Sequence, residues 1–293
     1  MLPRDVGSDP EAWDAASVPE LPEVETTRRH VAQALTGRRI DVVEIRRDRM
    51  ARRNERPADI VERLVGRTVE SVGRIGKFIV IEVEGDLRWV IHLGMSGRLQ
   101  LAGASHPEAP HTNVVVSLDD GVELRFVDPR TFGFVAVWTA EEWAASTMPA
   151  IGRDALSDTP DAVWLADRLA GRTAPIKALL LDQRVMAGIG NIYADEVLHR
   201  CGVRPTRPAG SLTSGEVEGL ASVVGPVLED GLLHGGTSLD DLAYLLPDGR
   251  AGEYAARLRV YGRTGEPCRT CGTPIERTIV AQRSSHFCPR CQT

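Results

Sequence analysis

Residues 179–205 read LLLDQRVMAGIGNIYADEVLHRCGVRP, in which two helical patterns flank a turn that contains Gly188, Gly190 and Asn191. The glycines allow a tight turn, and the free backbone amides at the start of the following helix attract anions. Asn191 adds a side-chain donor, and nearby positive charge is supplied by Lys177, Arg184, Arg200 and Arg204. The segment therefore predicts two packed helices with a phosphate site at their turn; the alternative is a turn that is only structural.

The chain before this segment changes from one helix to a series of short strands. Pro22 stands at the first position of a helix that carries Val24, Val31 and Leu35 on one stripe and ends at Gly37. Alternating apolar and polar residues then predict strands at 39–46, 68–73, 77–83, 87–93, 113–118, 122–127 and 134–138. This spacing predicts a β-sandwich or a β-barrel.

The second half of the chain is predicted to be helical until the cysteines begin. Helical patterns cover residues 161–169, 175–182, 191–201 and 213–233, with a kink expected at Pro226. A glycine-rich, charged stretch at 235–253 follows the last helix. Its length and composition indicate a functional loop.

The chain ends in two cysteine pairs, Cys268 with Cys271 and Cys288 with Cys291, separated by sixteen residues. This spacing predicts a zinc ribbon in which four thiolates hold one ion. Four thiolates leave no position for a catalytic water, so we expect the zinc to be structural. The intervening residues contain too few apolar side chains to fold without the metal. The fifth cysteine, Cys201, is interpreted as a buried apolar residue.

Length and composition restrict the class of protein. A chain of 293 residues with 42% hydrophobic content fits about two domains and excludes a disordered chain or a disulfide-stabilised miniprotein. No membrane span or secretion signal is recognisable, so we expect a soluble cytoplasmic protein with reduced thiols. The net charge of −6 argues on its own against nucleic acid, but residues 255–293 contain seven arginines and two glutamates. A local basic surface attracts phosphate, and charges beyond about 10 Å are screened.

Lysine is rare in this chain. Only Lys77 and Lys177 occur among 35 basic residues. An ammonium can lose its proton when desolvated and a guanidinium effectively cannot, so the two lysines are candidates for proton chemistry or for a compact charge. The alternative is that each lysine remains in the chain by chance and has no chemical role.

Six motifs in sequence order resemble the bacterial formamidopyrimidine-DNA glycosylase family. They are PELPEVET at 19–26, HLGMSG at 92–97, DPRTFG at 128–133, GIGN at 188–191 with IYADE after it, VYGR at 260–263, and the zinc ribbon. The resemblance implies an α+β multidomain enzyme: an N-terminal two-layer β-sandwich with flanking helices, a helix-two-turn-helix domain and a C-terminal zinc finger. We expect these domains at 19–148, 149–254 and 255–293, with a lesion-capping loop at 235–253.

The resemblance implies an enzyme that removes oxidised purines from DNA and then cuts the strand. Base removal passes through an oxocarbenium-like state, and a bifunctional glycosylase replaces the base with an amine. By resemblance, Pro19 is the nucleophile that attacks the sugar C1′, and Glu20 is the general acid that helps to open the sugar ring. Lys77 matches a lysine that contacts phosphate and assists catalysis, and Arg283 on the zinc hairpin is grouped with these residues.

The resemblance also implies a DNA-binding surface. Met95, Arg130 and Phe132 match residues that fill the void left by a flipped base, whereas the alternative for Met95 and Phe132 is ordinary core. The remaining predicted DNA contacts are Asn191, Lys177, the amides of Gly188 and Gly190, His111, Tyr261 and Arg263. The 235–253 loop, and PEL rather than PEG after the nucleophile, favour oxidised purines over the oxidised pyrimidines of the related endonuclease VIII group.

The sequence departs from the family pattern at its start. Pro19 is internal, and an internal proline nitrogen is a tertiary amide that cannot act as an amine nucleophile. We interpret Val18 as an alternative start, read from a GTG codon, and residues 1–18 as an extension absent from the mature protein. Proteolytic maturation and an extension that abolishes catalysis are the alternatives. Smaller departures occur at Thr131 and at Asn113.

The prediction is a monomeric DNA glycosylase and abasic-site lyase of base excision repair, with one structural zinc ion and double-stranded damaged DNA as its partner. Its expected substrates are 8-oxoguanine and formamidopyrimidines. One alternative is a non-catalytic protein of the same fold that binds damaged DNA or abasic sites. The other is a glycosylase of the endonuclease VIII type, which acts on oxidised pyrimidines.

Overall fold

The computed structural model describes residues 19–239 and 243–293. The predicted extension at 1–18, and positions 240–242 of the predicted loop, lie outside the described residues. The helices are α1 (Leu21–Leu35), α2 (Pro57–Leu64), α3 (Ala140–Ala145), α4 (Ala162–Leu169), α5 (Ile176–Leu181), α6 (Asn191–Cys201) and α7 (Ser214–Leu233). The strands are β1 (Ile40–Ile45), β2 (Val69–Ile75), β3 (Phe78–Val83), β4 (Leu87–His92), β5 (Arg98–Gly103), β6 (Thr112–Leu118), β7 (Val122–Val127), β8 (Phe134–Trp138), β9 (Arg153–Asp154), β10 (Met186–Ala187), β11 (Glu276–Val280) and β12 (Arg283–Phe287).

The first lobe is a sandwich of two four-stranded antiparallel sheets. One sheet has the order β1-β6-β7-β5 and the other β2-β3-β4-β8. Their inner faces share one apolar core, because alternate residues of each strand point to the same face. This confirms the predicted sandwich. Strand β5 and helix α2, segments of six and eight residues, were not predicted.

Helix α1 connects this lobe to the second one. Val24, Val31 and Leu35 lie in the core of the sandwich, whereas Leu21 lies in the core of the helical lobe. A capping box formed by Glu20 and Glu23 begins the helix. The residues at this end of α1 are therefore fixed at the junction of the two lobes.

The second lobe packs α4, α5, α6 and α7 around a separate apolar core. A cross-lobe ion pair between Arg74 on β2 and Asp154 on β9 joins it to the sandwich. Strands β11 and β12 form the hairpin that carries the predicted zinc ribbon. Among the described residues, none of the helices combines the length and apolar character needed to span a membrane.

Candidate active site

The carboxylate of Glu20 occupies the junction between the lobes. Pro19 and Glu20 are both buried. The Glu20 side chain accepts hydrogen bonds from the backbone amides of Gly190 at 2.7 Å, Ile192 at 2.8 Å and Tyr193 at 3.2 Å. These amides form the N-terminus of α6, which favours negative charge. The anion held by the glycine turn is therefore the protein's own Glu20.

This arrangement corrects the prediction that the amides of Gly188 and Gly190 bind DNA phosphate. The Gly188 amide donates to Oε1 of Gln183 at 2.9 Å, and the Gly190 amide donates to Glu20. Both glycines are needed for close approach. A Cβ on Gly190 would stand 2.6 Å from Nζ of Lys77, and one on Gly188 would stand 2.3 Å from Cδ1 of Leu21. Short-range sequence patterns identify the anion site but not the anion.

The proton affinity of Glu20 is raised by its surroundings. Burial raises the pKa of Glu20 to about 7, and the charge of Glu23 adds to this, while the Lys77 ammonium and the α6 amides oppose it. Burial also lowers the pKa of the half-buried Lys77. A carboxyl group with a pKa near 7 can donate a proton at neutral pH. The site thus contains a group suited to general acid catalysis.

Glu23 is a second buried carboxylate, which the sequence analysis did not single out. It accepts hydrogen bonds from the Glu20 amide at 2.9 Å, the Tyr193 hydroxyl at 2.9 Å and the Thr237 amide at 2.6 Å. Burial raises the pKa of Glu23. Thr237 belongs to the 235–253 loop, so Glu23 joins that loop to the backbone of Glu20. The sequence feature that could have identified Glu23 is its position three residues after Glu20, the N-cap of α1.

Three further predicted residues converge near Glu20 from distant parts of the chain. Lys77 lies in the turn between β2 and β3, and the charge of Arg283 is close enough to contribute to its lowered pKa. The Asn191 amide nitrogen is 3.4 Å from Oγ of Ser284, the neighbour of Arg283. The side-chain oxygen of Asn191 is buried without a hydrogen-bond partner among the described residues. Pro19, Glu20, Lys77, Asn191 and Arg283 therefore lie close together at the junction of the two lobes, which we call the cleft.

Lys177 does not lie in this cleft, contrary to its predicted role as a DNA contact. Its side chain is fully buried, and its ammonium pairs with Asp195 at 2.8 Å and donates to the Ser284 carbonyl at 2.6 Å. Asp195 also accepts from the Ser285 hydroxyl at 2.9 Å and the His286 amide at 2.8 Å. Burial and pairing leave the Lys177 ammonium inaccessible to phosphate. The pair instead fastens β12, which begins at Arg283, to helices α5 and α6.

The VYGR segment is also held by α6. The Glu196 carboxylate accepts hydrogen bonds from the amides of Arg259, Val260 and Tyr261 at 2.9–3.1 Å. Tyr261 is buried, with its ring edge against His286. The Arg263 guanidinium donates to the carbonyls of Arg259 and Pro267 and pairs with Glu266. Tyr261 and Arg263 were predicted to contact DNA, but the structure packs both side chains against the protein.

Met95, Arg130 and Phe132 lie together at one end of the sandwich. Their two turns pack backbone to backbone, since a Cβ on Gly94 would stand 2.4 Å from the Gly133 amide nitrogen. Phe132 is 37% exposed, and the Arg130 guanidinium lies 4.7 Å from the centroid of its ring. Met95 is half-buried and belongs to none of the apolar clusters of the described residues. Exposure argues against the alternative that Phe132 is ordinary core.

Asp128 organises these turns. Its fully buried carboxylate accepts from the Ser96 hydroxyl at 2.6 Å and from the Gly133 amide at 2.8 Å. Its carbonyl accepts from the side chain of Asn113 at 2.7 Å. His111 is exposed at the same end with φ +65°, and its carbonyl accepts from the Asp128 amide. Asn113, a departure from the family pattern, therefore serves the same group of turns.

The four cysteines of the ribbon form a tetrahedral donor set. Their sulfur atoms all lie within 4.8 Å of one another, with 3.9 Å between Cys268 and Cys291 and 3.5 Å between Cys271 and Cys288. A tetrahedron with Zn–S bonds of about 2.3 Å has sulfur atoms roughly 3.8 Å apart. His199 on α6 lies with Nε2 3.6 Å from the Cys268 sulfur. The donor set fits the predicted structural zinc ion, and α6 supports it.

Three family models match the chain. A model described as the formamidopyrimidine-DNA glycosylase N-terminal domain matches residues 18–135, and the H2TH domain of the same family matches 151–242. A zinc finger found in FPG and IleRS matches 265–293. These matches agree with the sandwich, the helical lobe and the ribbon seen in the structure.

The chain is similar to curated and structurally characterised proteins over nearly its full length. A formamidopyrimidine-DNA glycosylase of Geobacillus kaustophilus is 42% identical, covering 94% of this chain and 100% of the relative. The crystal structure of the MutM (Fpg) protein of Thermus thermophilus has a TM-score of 0.84 at 39% identity, covering 94% of this chain and 98% of that one. Lactococcus lactis Fpg in complex with abasic-site DNA has a TM-score of 0.86 at 31% identity, covering 94% and 99%.

Proposed function

The chain belongs to the formamidopyrimidine-DNA glycosylase family, and on that premise we propose how its own residues carry out the reaction. It is a DNA glycosylase of base excision repair with the abasic-site lyase activity of that family. We propose that it acts as a cytoplasmic monomer on oxidised purines in double-stranded DNA. A structure of the Lactococcus lactis relative with Fapy-dG DNA supports this choice of substrate, and the same relative is also known in complex with DNA that contains an oxidised pyrimidine.

The proposed nucleophile is the ring nitrogen of Pro19 when it is a free secondary amine. The nitrogen lone pair forms a bond to the sugar C1′, and the bond from C1′ to the damaged base breaks with its electron pair leaving on the base. The N–H proton passes to the leaving base, the C1′–O4′ bond breaks with its electron pair on the ring oxygen, and the resulting iminium acidifies the C2′–H. Loss of that proton expels the 3′ phosphate, and a second elimination expels the 5′ phosphate. The burial of Pro19 next to Glu20 supports this assignment.

The observation that carries the proposal is the environment of Glu20. Three amides of α6 fix its carboxyl group, and burial raises its pKa to about 7, so a fraction of the molecules holds the proton at neutral pH. We propose that Glu20 delivers this proton to the sugar ring oxygen as the ring opens. Protonation compensates the charge that develops on that oxygen when its bond to C1′ breaks.

Positive groups around Glu20 are proposed to hold the DNA backbone. The charges of Lys77 and Arg283 act on each other, and the side-chain amide nitrogen of Asn191, a hydrogen-bond donor, lies beside Ser284, the neighbour of Arg283. Met95, Arg130 and Phe132 stand at the sandwich end, where they would fill the space left by the extruded nucleotide. These contacts position the duplex rather than read its sequence.

Borohydride trapping tests the proposal. Protein that begins at Pro19, incubated with an 8-oxoguanine duplex and borohydride, is expected to give a covalent adduct whose peptide map places the link at Pro19. The full 293-residue chain is the matched control, because its Pro19 nitrogen is an amide. Absence of an adduct from protein beginning at Pro19 would leave a DNA-binding protein without catalysis. A faster reaction on an oxidised pyrimidine would reassign the substrate class.

A further inference from the structure

An arginine-rich segment at 46–56, RRDRMARRNER, takes no part in the function proposed above. It connects β1 to α2 and contains a short 3₁₀ helix, Asp48–Ala51. Six of its eleven residues are arginine: Arg46, Arg47, Arg49, Arg52, Arg53 and Arg56. All six are exposed. A surface with this density of positive charge attracts anions.

Carboxylates neutralise only the two ends of the segment. Arg46 pairs with Glu44 at 2.8 Å and with Glu108, and Arg56 pairs with Asp59 at 2.6 Å. Among the described residues, no ion pair joins Arg47, Arg49, Arg52 or Arg53 to a carboxylate. The charges of Arg49 and Arg53 act on Arg52, whose pKa is lowered by burial and by these two neighbours, while the charge of Asp128 opposes them. The middle of the segment is thus a cluster of like charges.

This cluster lies directly behind the turn that carries Arg130 and Phe132. Arg49 donates to the Thr131 carbonyl at 3.2 Å, and Arg52 donates to the carbonyls of Phe132 at 2.8 Å and Gly133 at 2.6 Å. The guanidinium carbons of Arg52 and Arg53 lie 5.3 and 5.4 Å from the centroid of the Phe134 ring. The cluster therefore shares one end of the sandwich with the turn proposed to enter the DNA.

Positive charge also continues from the cluster to the catalytic cleft. The His92 ring is 5.7 Å from Phe134 and 4.7 Å from Phe78, the residue after Lys77. Burial lowers the pKa of His92 to about 4, and the charges of Lys77, Arg52 and Arg53 contribute. The charges of Lys77, Arg52 and Arg53 therefore all act on the His92 imidazole. A basic track runs from Arg283 and Lys77, past His92, to the middle of the arginine segment.

We propose that Arg49 and Arg53 bind the phosphate backbone of the duplex flanking the lesion, and that Arg52 holds the Arg130–Phe132 turn against them. The inference rests on the proposed function, because it assumes that duplex DNA lies along the cleft. Duplex DNA carries one negative charge per about 1.7 Å of its axis, so a second group of phosphates is available next to those at Lys77 and Arg283. The contacts would be independent of sequence.

The test compares two double variants that remove the same formal charge from the same segment. Arg49→Ala/Arg53→Ala removes two unpaired arginines, and Arg46→Ala/Arg56→Ala removes two arginines that carboxylates already neutralise. Each variant is prepared as the full-length chain and titrated with a duplex that contains a tetrahydrofuran abasic-site analogue. Its Kd is measured at salt concentrations from about 50 to 200 mM. Thermal unfolding midpoints and zinc content verify that both variants fold.

Each lost phosphate contact makes the slope of log K against log salt less steep by about 0.9. The slope should therefore become less steep by about 1.8 in the Arg49/Arg53 variant and stay almost unchanged in the Arg46/Arg56 variant. Shortening the duplex on the side that faces the segment should remove the difference between the variants. An unchanged slope for Arg49→Ala/Arg53→Ala overturns the inference, as do equal losses in both variants. Neither result affects the trapping experiment at Pro19, so failure of the inference and failure of the proposed function are distinguishable.

Discussion

The two lysines of the chain lie in contrasting surroundings. Lys177 is fully buried and pairs with Asp195 at 2.8 Å, at the junction of α5, α6 and the zinc hairpin. Lys77 is half-buried beside Glu20, and in the described part of the chain no ion pair joins it to a carboxylate. A buried pair restricts geometry, whereas an unpaired ammonium in a cleft is available to a phosphate. The rarity of lysine therefore identifies one scaffold residue and one candidate for chemistry.

The largest effect on activity is expected from a substitution of Glu20, which lies beside Lys77. Glu20→Gln keeps an oxygen for the α6 amides but removes the proton donor, so we expect base excision to fall by about 10²- to 10⁴-fold. Single-turnover excision of 8-oxoguanine by protein beginning at Pro19 measures it. DNA affinity should change little.

Asn191→Ala and Arg283→Ala provide the contrast to Glu20→Gln. Both should weaken binding to damaged and undamaged duplexes alike, since they remove backbone contacts rather than a proton donor. Comparison of Kd and excision rate for all three variants separates the two roles. Equal loss of affinity in all three would contradict the assigned roles.

The next largest effect is a loss of stability expected from a substitution of Lys177. Lys177→Met leaves the Asp195 carboxylate buried without its partner, which costs about 3–5 kcal/mol of stability. Chemical unfolding of Lys177→Met and of Lys77→Met measures the difference, and the Lys77 variant should lose far less. Adding Asp195→Asn to Lys177→Met should recover part of the loss. Equal destabilisation by both lysine variants would remove the distinction between the two sites.

The pH dependence of catalysis sharpens the comparison further. Glu20 must be protonated to act as an acid, and its pKa is about 7, so the excision rate should fall as the pH rises above that value. The Lys77 charge opposes the raised pKa of Glu20. Lys77→Met should therefore move the alkaline fall to higher pH, besides weakening DNA binding. Single-turnover rates at saturating DNA, measured across pH, report the shift. If the excision rate of Lys77→Met falls at the same pH as that of the unsubstituted protein, or at a lower pH, Lys77 does not act on Glu20.

Local patterns in the sequence were sufficient for much of the fold and for the zinc site. Strand β7 and helix α6 have the predicted bounds, because alternation and a bounded helical pattern are properties of neighbouring residues. The four cysteines carry their own spacing signal, and their sulfur atoms do come together. Strand β5 is only six residues long and ends in glycine, and it was not predicted.

Contacts between residues far apart in the chain explain why the partners of the glycine turn and of Lys177 could not be predicted from the sequence. The amide of Gly190 meets a carboxylate 170 residues away, and Lys177 meets a carbonyl 107 residues away. A glycine turn and a lysine have the same local appearance whether their partner is a phosphate or a buried residue. The partner is decided by the packing of α1 and β12 against α6. The roles proposed for Glu20 and Arg283 came from resemblance to a family for the same reason.

The smallest effect tests what positions Arg283. Ala281 and Gln282 form the two-residue turn between β11 and β12, with φ of +49° and +61°, a conformation that favours Asn-Gly. Ala281→Asn/Gln282→Gly should stabilise the protein by about 1 kcal/mol, measured by thermal unfolding. Because the contacts of Lys177 and Asp195 with Ser284, Ser285 and His286 hold β12, DNA affinity should stay the same. An altered affinity in this variant would mean that the turn, rather than the buried pair, sets the position of Arg283.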